Sequence, residues 1–156
     1  MKKSILLLVL FTMIVSCKSL QKKEKEATIN IENKNIVFEY ESSTRGNFKK
    51  VIVKEDAVLT TFERDGSKFT TQKMSKETWN RLMTLINNVD LAQMKDLKAP
   101  TNNRASDRAA SGKLTVITQE NTFVSDFFDH GNPPAKIAEI TKMIVDLAEF
   151  EKEILD

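Results

Sequence analysis

The feature that most constrains the fold is an alternation of apolar and polar residues that begins at Ile36 and recurs in successive segments. In the first segment, IVFEYE, Ile36, Phe38 and Tyr40 share one side of an extended chain, and the residues between them take the other side. A period of two residues is typical of strands with one buried face. The segments FKKVIVK, AVLTTFE and KFTTQKM follow at short intervals, so the sequence predicts an antiparallel meander of four strands.

Short polar segments separate these strands. SSTRGN follows the first strand, and the dipeptide ED follows the second. The third connection contains RDGS, and its Asp65-Gly66 pair tolerates the positive φ angles of a type I′ turn. We therefore expect a tight hairpin at Asp65 and Gly66.

The apolar period then changes from two residues to three or four, which predicts an amphipathic helix. Ser75 suits its N-cap, and Asn87-Asn88 indicates its end. The stripe predicted to pack against the sheet is Trp79, Leu82, Met83, Ile86 and Val89. A short helical turn is expected over 91–97, and a polar loop of twelve residues, 101–112, follows it.

Two more strands and a helix complete the predicted domain. KLTVITQ and TFVSDFF are the strands, joined near Glu120-Asn121. Asn132 is the predicted N-cap of a helix that extends toward Ile154, with Pro133 or Pro134 in its first positions. Its predicted buried residues are Ile137, Ile140, Ile144, Leu147 and Ala148. The order ββββ-α-ββ-α predicts an α+β fold, with an antiparallel sheet of about six strands and both helices packed on one face.

The first seventeen residues have the pattern of an export signal. MKK gives a positive start, and an apolar run of eleven residues from Ile5 to Val15 is broken only by Thr12. Such a run is too short to span a bilayer. The only cysteine of the chain follows, and the segment IVSC that ends at Cys17 resembles the lipobox of bacterial lipoproteins. The resemblance covers residues 1–17 alone.

This resemblance implies a signal peptide, 1–16, that is cleaved, and fatty acids such as palmitate on Cys17. Two or more acyl chains hold a protein stably at a membrane. The alternative is an ordinary secretory signal with a coincidental cysteine. Residues 17–35 are predicted to form a flexible tether, and 36–156 a single domain. Because Lys18 is not the Asp that typically retains lipoproteins in the inner membrane, we expect the outer membrane, with the domain facing either the periplasm or the outside.

Charge and cysteine content limit the partners and the core. The chain has 24 Lys and Arg against 22 Asp and Glu, and removal of Lys2 and Lys3 with the signal peptide leaves 22 of each. A balanced charge disfavours nucleic acid as a partner, since binding to phosphates needs a basic surface. With no cysteine beyond Cys17, apolar packing rather than disulfides must hold the core.

Candidate catalytic and metal-binding residues are few. His130 is the only histidine, which excludes sites that need two histidines. Asp126, Asp129 and His130, with Asp107, could bind a cation, but strand alternation separates Asp126 from Asp129 and His130, which are expected in a turn. The sequence contains no Gly-x-Ser-x-Gly motif and no glycine-rich phosphate loop. We therefore predict no metal site, no cofactor and no enzymatic activity.

Three polar loops form the strongest candidate recognition edge, which is defined by their charged residues: Arg45, Arg104, Asp107, Arg108, Asp129 and His130. Folding of the sheet could bring two or three of these loops to one end. Two interpretations follow. The residues either form a surface that recognises a partner, as loops often do, or a salt-bridge network that only holds the loops together.

Three functional classes remain. The first is a non-catalytic binding or accessory module of the cell envelope, held by Cys17 and interacting with an envelope protein. The second is an inhibitor of a hydrolase that acts through loop 101–112, and the third is a small hydrolase built around His130. The layout also looks similar to small uncharacterised lipoproteins of Gram-negative bacteria that combine an antiparallel sheet with a C-terminal helix, a likeness that implies no function.

Overall fold

A computed structural model of the protein describes residues 35–149. The predicted signal peptide, Cys17, the tether up to residue 34 and the extension of the last helix toward Ile154 lie outside the described residues. Within 35–149, no helix combines the length and the apolar character needed to cross a membrane.

One antiparallel sheet forms the framework, as the sequence predicted. Its strands are β1 (Val37–Ser43), β2 (Phe48–Val53), β3 (Ala57–Thr61), β4 (Thr70–Lys73), β5 (Ser111–Ile117), β6 (Thr122–Val124) and β7 (Phe128–Asp129). The spatial order is β4-β3-β2-β1-β5-β6, and β7 also pairs with β5. The first four strands form the predicted meander, and β5 returns beside β1, at the centre of the sheet.

The seventh strand exists because the predicted strand TFVSDFF is interrupted at Ser125. The Ser125 hydroxyl accepts a hydrogen bond from the Leu114 backbone N–H at 3.0 Å, in the position where a strand would offer a carbonyl. The Ser125 N–H still donates to the Leu114 carbonyl at 2.9 Å. Because a side-chain hydroxyl replaces a backbone carbonyl here, the strand is interrupted between β6 and β7.

Two α-helices, α1 (Lys76–Ile86) and α2 (Ala138–Glu149), complete the α+β architecture. The Ser75 hydroxyl caps α1 by accepting a hydrogen bond from the Thr78 N–H at 3.0 Å, as predicted. Trp79 of α1 meets Phe38 of β1 edge-to-face, with ring centroids 5.8 Å apart. Helix α2 packs against α1 and against β1, β2 and β3, so both helices cover one face of the sheet. Short 3₁₀ helices span Leu91–Asp96, Asn103–Ser106 and Ala135–Ile137.

The core lies between this face and the helices. Its fully buried members from the sheet include Phe38, Tyr40, Val51, Val53, Leu114, Val116 and Phe128. The helical residues predicted to be buried occupy the other side, except that Val89 and Leu147 are only partly buried. Burial of each large apolar side chain contributes on the order of 2 kcal/mol, so this single core can hold the domain without a disulfide.

Two local predictions are wrong. Asp65 does not adopt a positive φ, so the third connection is not a type I′ hairpin; the Gly66 N–H instead bonds to the Glu63 carbonyl at 3.1 Å, in a longer loop. Asn132 does not cap the last helix, because its side chain donates to the Thr101 hydroxyl at 2.9 Å. Pro134 stands at the N-cap position of the 3₁₀ helix that precedes α2.

Candidate functional site

The register of the sheet brings three loops to one end. Ser43, the last residue of β1, pairs with Phe48 at the start of β2 and with Ser111 at the start of β5. The end of β3 lies in the same region, since Thr61 pairs with Lys50. The connections 44–47, 62–69 and 97–110 therefore leave the sheet together. We call this region the loop end.

An open cleft of about 590 Å³ lies at the loop end. Its lining residues are Ser43, Thr44, Arg45, Gly46, Arg64, Arg104, Asp107, Ala109 and Ser111. Three of these side chains are guanidinium cations, and only one is a carboxylate. We call this feature the arginine cleft.

Arg64 connects two of the loops. Its Nη2 group donates to the backbone carbonyl of Thr44 and, at 3.2 Å, to that of Asn47. Its guanidinium also lies over the Phe48 ring, 5.4 Å from the ring centroid. Arg64 thus fixes the loop after β1 to the loop after β3 and holds its own positive charge at the cleft.

Asp129 holds the third loop. Its carboxylate accepts hydrogen bonds from the Thr101 hydroxyl at 2.6 Å and from the backbone N–H groups of Asn103 at 2.7 Å and Arg104 at 2.9 Å. The Arg104 guanidinium adds a contact at 3.4 Å. Burial alone would raise the pKa of Asp129, but these hydrogen bonds outweigh it and lower the pKa to about 2. The carboxylate is therefore ionised at neutral pH, and it orders residues 101–104.

The expectation that Asp129 lies in a turn is wrong. Asp129 belongs to β7, where it pairs with Ser111, and it is only 2% exposed. The sequence interpretation ended the strand at Phe128, but the break at Ser125 creates a separate strand, β7, which includes Asp129. As a result, the carboxylate points under loop 101–112 rather than into solvent.

Arg45 and Asp107 form the exposed part of the arginine cleft. Arg45 Nη2 lies 3.1 Å from Asp107 Oδ2, and the side chains are 90% and 68% exposed. Asp107 has a left-handed backbone conformation, with φ of 56°, which aspartate tolerates better than most residues do. Exposed ion pairs contribute little to stability because water screens them, so this pair can open at low cost.

The remaining residues of the predicted edge lie beside the cleft. Arg108 Nε donates to the Ser106 hydroxyl at 2.9 Å. His130 Nδ1 lies 2.6 Å from the hydroxyl of Tyr40, a buried core residue. Burial raises the pKa of that hydroxyl above its usual value, so the phenol stays protonated and can donate to the imidazole. Neither Arg108 nor His130 lines the arginine cleft.

Arg64 is the one charged cleft residue that the sequence interpretation missed. Its segment was assigned only a turn, with no functional role. The signal was nevertheless available, because alternate turns of an antiparallel meander lie at the same end of the sheet. The loop that holds Arg64 should therefore have been grouped with the loop that holds Arg45.

The described residues offer few metal ligands in one place. Between positions 35 and 149, no group of three or more His, Cys, Asp or Glu side chains is arranged to hold a metal ion. Asp129 is occupied by its hydrogen bonds, and Asp126 Oδ1 accepts one from the Phe127 N–H at 2.7 Å. The polar groups that the loop end offers to a ligand are therefore mainly guanidinium groups, which donate hydrogen bonds.

No protein-family model matches this sequence, and comparison with curated proteins finds none with significant similarity.

Proposed function

We propose that this protein is a non-catalytic binding module of the cell envelope, anchored by lipid on Cys17, that recognises an envelope protein through the arginine cleft. The observation that carries the proposal is the arrangement of the loop end. Arg64 and Asp129 hold the loops in place, while the Arg45 side chain, 90% exposed, extends from this frame. Because this frame is already fixed, less conformational entropy is lost when a partner binds.

The two interpretations of the charged loops apply to different residues. Asp129 and Arg104 are buried or largely buried, at 3% and 21% side-chain exposure, and their contacts hold a loop. Arg45 and Asp107 are solvent-exposed, and each can exchange its present partner for another charged group. We therefore assign a structural role to the first pair and a recognition role to the second.

The anchor proposal rests on the sequence of residues 1–17. A lipid on Cys17 and a polar tether over 17–35 would hold the domain at the outer membrane with a reach of roughly 25 Å by random-coil scaling. Metabolic labelling with a palmitate analogue tests this step. The wild-type protein should carry the label and Cys17→Ala should not; labelled Cys17→Ala would contradict the anchor.

Crosslinking in intact cells followed by mass spectrometry tests the binding role. A specific envelope protein should be recovered with the wild-type protein and depleted with Arg45→Ala, while both forms melt at the same temperature. A shared loss of partner and of thermal stability would instead assign Arg45 to the fold. Recovery of no partner would contradict the binding role.

Inhibition of a hydrolase is the second candidate, favoured by one observation. Loop 101–112 is ordered by Asp129, although most of its first eight residues are exposed. Ordered exposed loops suit inhibitors, because little entropy is lost when they enter an active site. Stoichiometric inhibition of an envelope protease or muramidase by the purified protein would support this function, and a broad panel without inhibition would exclude it.

A further inference from the structure

From the geometry of the arginine cleft we infer that it binds an oxyanion, either the carboxylate or the phosphate group of its partner. The inference rests on the proposed function, since it specifies the chemistry that the cleft recognises. Guanidinium groups present N–H donors in a planar fork that matches both kinds of oxyanion.

The charge balance at the cleft is positive. Arg45, Arg64 and Arg104 line it, and Asp107 is the single acidic lining residue. Asp129 lies behind Arg104 and offsets one more cation. One positive charge remains in excess, in a protein whose predicted mature form is balanced overall. The cleft therefore attracts anions more than an average part of the surface does.

Two of the guanidinium groups are positioned in advance and keep donors for a ligand. In the contacts among residues 35–149, Arg64 uses Nη2 for its two carbonyl partners, and Arg104 uses Nη1 for Asp129 and the Thr101 carbonyl. Each group has two further nitrogens that carry N–H donors. Their orientation is already fixed by the fold, so binding an oxyanion there orders little additional structure.

Asp107 shows what the third guanidinium can bind. Its carboxylate accepts from Arg45 at the rim of the cleft and so stands where a ligand oxyanion would stand. Because the pair is exposed, an incoming oxyanion can displace the Asp107 carboxylate from Arg45. Asp107 is thus an internal competitor of the ligand.

Because Asp107 competes with the ligand for Arg45, substitutions of these two residues should change oxyanion affinity in opposite directions. Asp107→Asn keeps a residue type that accepts the left-handed backbone but removes the competing charge. It should tighten oxyanion binding, whereas Arg45→Ala should weaken it. Arg81→Ala is the matched control, since Arg81 is an exposed arginine of α1 that pairs with Glu139, outside the cleft.

The experiment is a titration of the full-length protein, purified in a nonionic detergent, with inorganic phosphate and separately with acetate. Ionic strength is kept constant with sodium chloride, and chemical shifts or heat are recorded. We expect dissociation constants in the millimolar range, weakened about fivefold or more by Arg45→Ala and tightened about threefold by Asp107→Asn, because each change alters one charge next to the ligand. Arg81→Ala should bind as the wild type does.

The two anions distinguish the sources of the oxyanion. Tighter binding of phosphate assigns a phosphate group to the partner, and tighter binding of acetate assigns a carboxylate; either result supports the inference. Binding of neither anion overturns it, as does equal binding by the wild type, Arg45→Ala and Asp107→Asn. If anion binding fails while Arg45→Ala still depletes a crosslinked partner, only this inference fails. Absence of any crosslinked partner would count against the proposed function instead.

Discussion

Asp129 illustrates how one buried carboxylate sets the shape of a recognition loop. Its two oxygens receive donors from Thr101, Asn103 and Arg104, all of which belong to the loop that borders the arginine cleft. Its position in a polar loop marked Asp129 as a candidate site residue, but the sequence did not indicate its partners. Arg104 is 25 residues from Asp129 in the chain, so the local sequence pattern does not indicate their contact.

The lowered pKa of Asp129 predicts a specific pH dependence. The pKa is about 2 in the folded protein and near its ordinary value of about 4 in the unfolded chain. The group therefore stabilises the fold fully above pH 4, and this contribution is lost as the pH falls toward 2. Asp129→Asn should lower the melting temperature by several degrees at pH 7, and by progressively less below pH 4. A difference that stays constant from pH 7 to pH 2 would contradict this account.

Gly112 is required by a close approach within the core. A Cβ atom there would lie 2.8 Å from the Tyr40 hydroxyl oxygen and 2.9 Å from the Phe128 ring. Gly112→Ala should therefore lower the free energy of unfolding by about 1–3 kcal/mol in urea titrations, since overpacking displaces buried rings. Gly46→Ala is the control, because its Cβ would meet nothing within 4 Å. Equal effects of the two substitutions would rule out the proposed clash.

At the scale of elements, the sequence predicted best where a segment's own pattern decides its structure. The meander over β1 to β4 and the helix α1 with its Ser75 cap were confirmed, because alternation, helical spacing and capping are local signals. Two predictions at this scale failed, one because a distant partner decides and one because the loop is longer than its turn signal indicated. Asn132 bonds to Thr101 rather than capping a helix, and the turn at Asp65-Gly66 is longer than a two-residue hairpin.

The division between β6 and β7 depends on one hydroxyl. The Ser125 side chain, 5% exposed, accepts the Leu114 N–H, which would otherwise be buried without an acceptor. Ser125→Ala should cost about 1–3 kcal/mol in the free energy of unfolding, which chemical denaturation measures. Ser67→Ala is a suitable control, since Ser67 is exposed and water can replace its side-chain contact with Asp65, while its backbone N–H contact remains. A loss no larger than that of the control would show that the hydroxyl is dispensable.

At the scale of the whole molecule, the two faces of the sheet differ. The helices cover the face that carries Phe38 and Tyr40, and the other face carries cross-strand ion pairs, among them Lys50 with Glu39 at 2.8 Å. The α+β class could be predicted because the order of periodicities is a property of the entire chain. The convergence of Arg45, Arg64 and Arg104 could be predicted only in part, since it depends on strand order and register.

The central claim is that the arginine cleft is the recognition surface. Site-specific photocrosslinking in intact cells tests this claim most directly. A photo-crosslinking amino acid at position 46 lies at the cleft, where a side chain meets no neighbour. The same amino acid at position 54 lies at the opposite end of the sheet, in the connection between β2 and β3. The account predicts a discrete adduct from position 46 that is absent from position 54 and lost with Arg45→Ala. Adducts that are equal at both positions, or unchanged by Arg45→Ala, would contradict it.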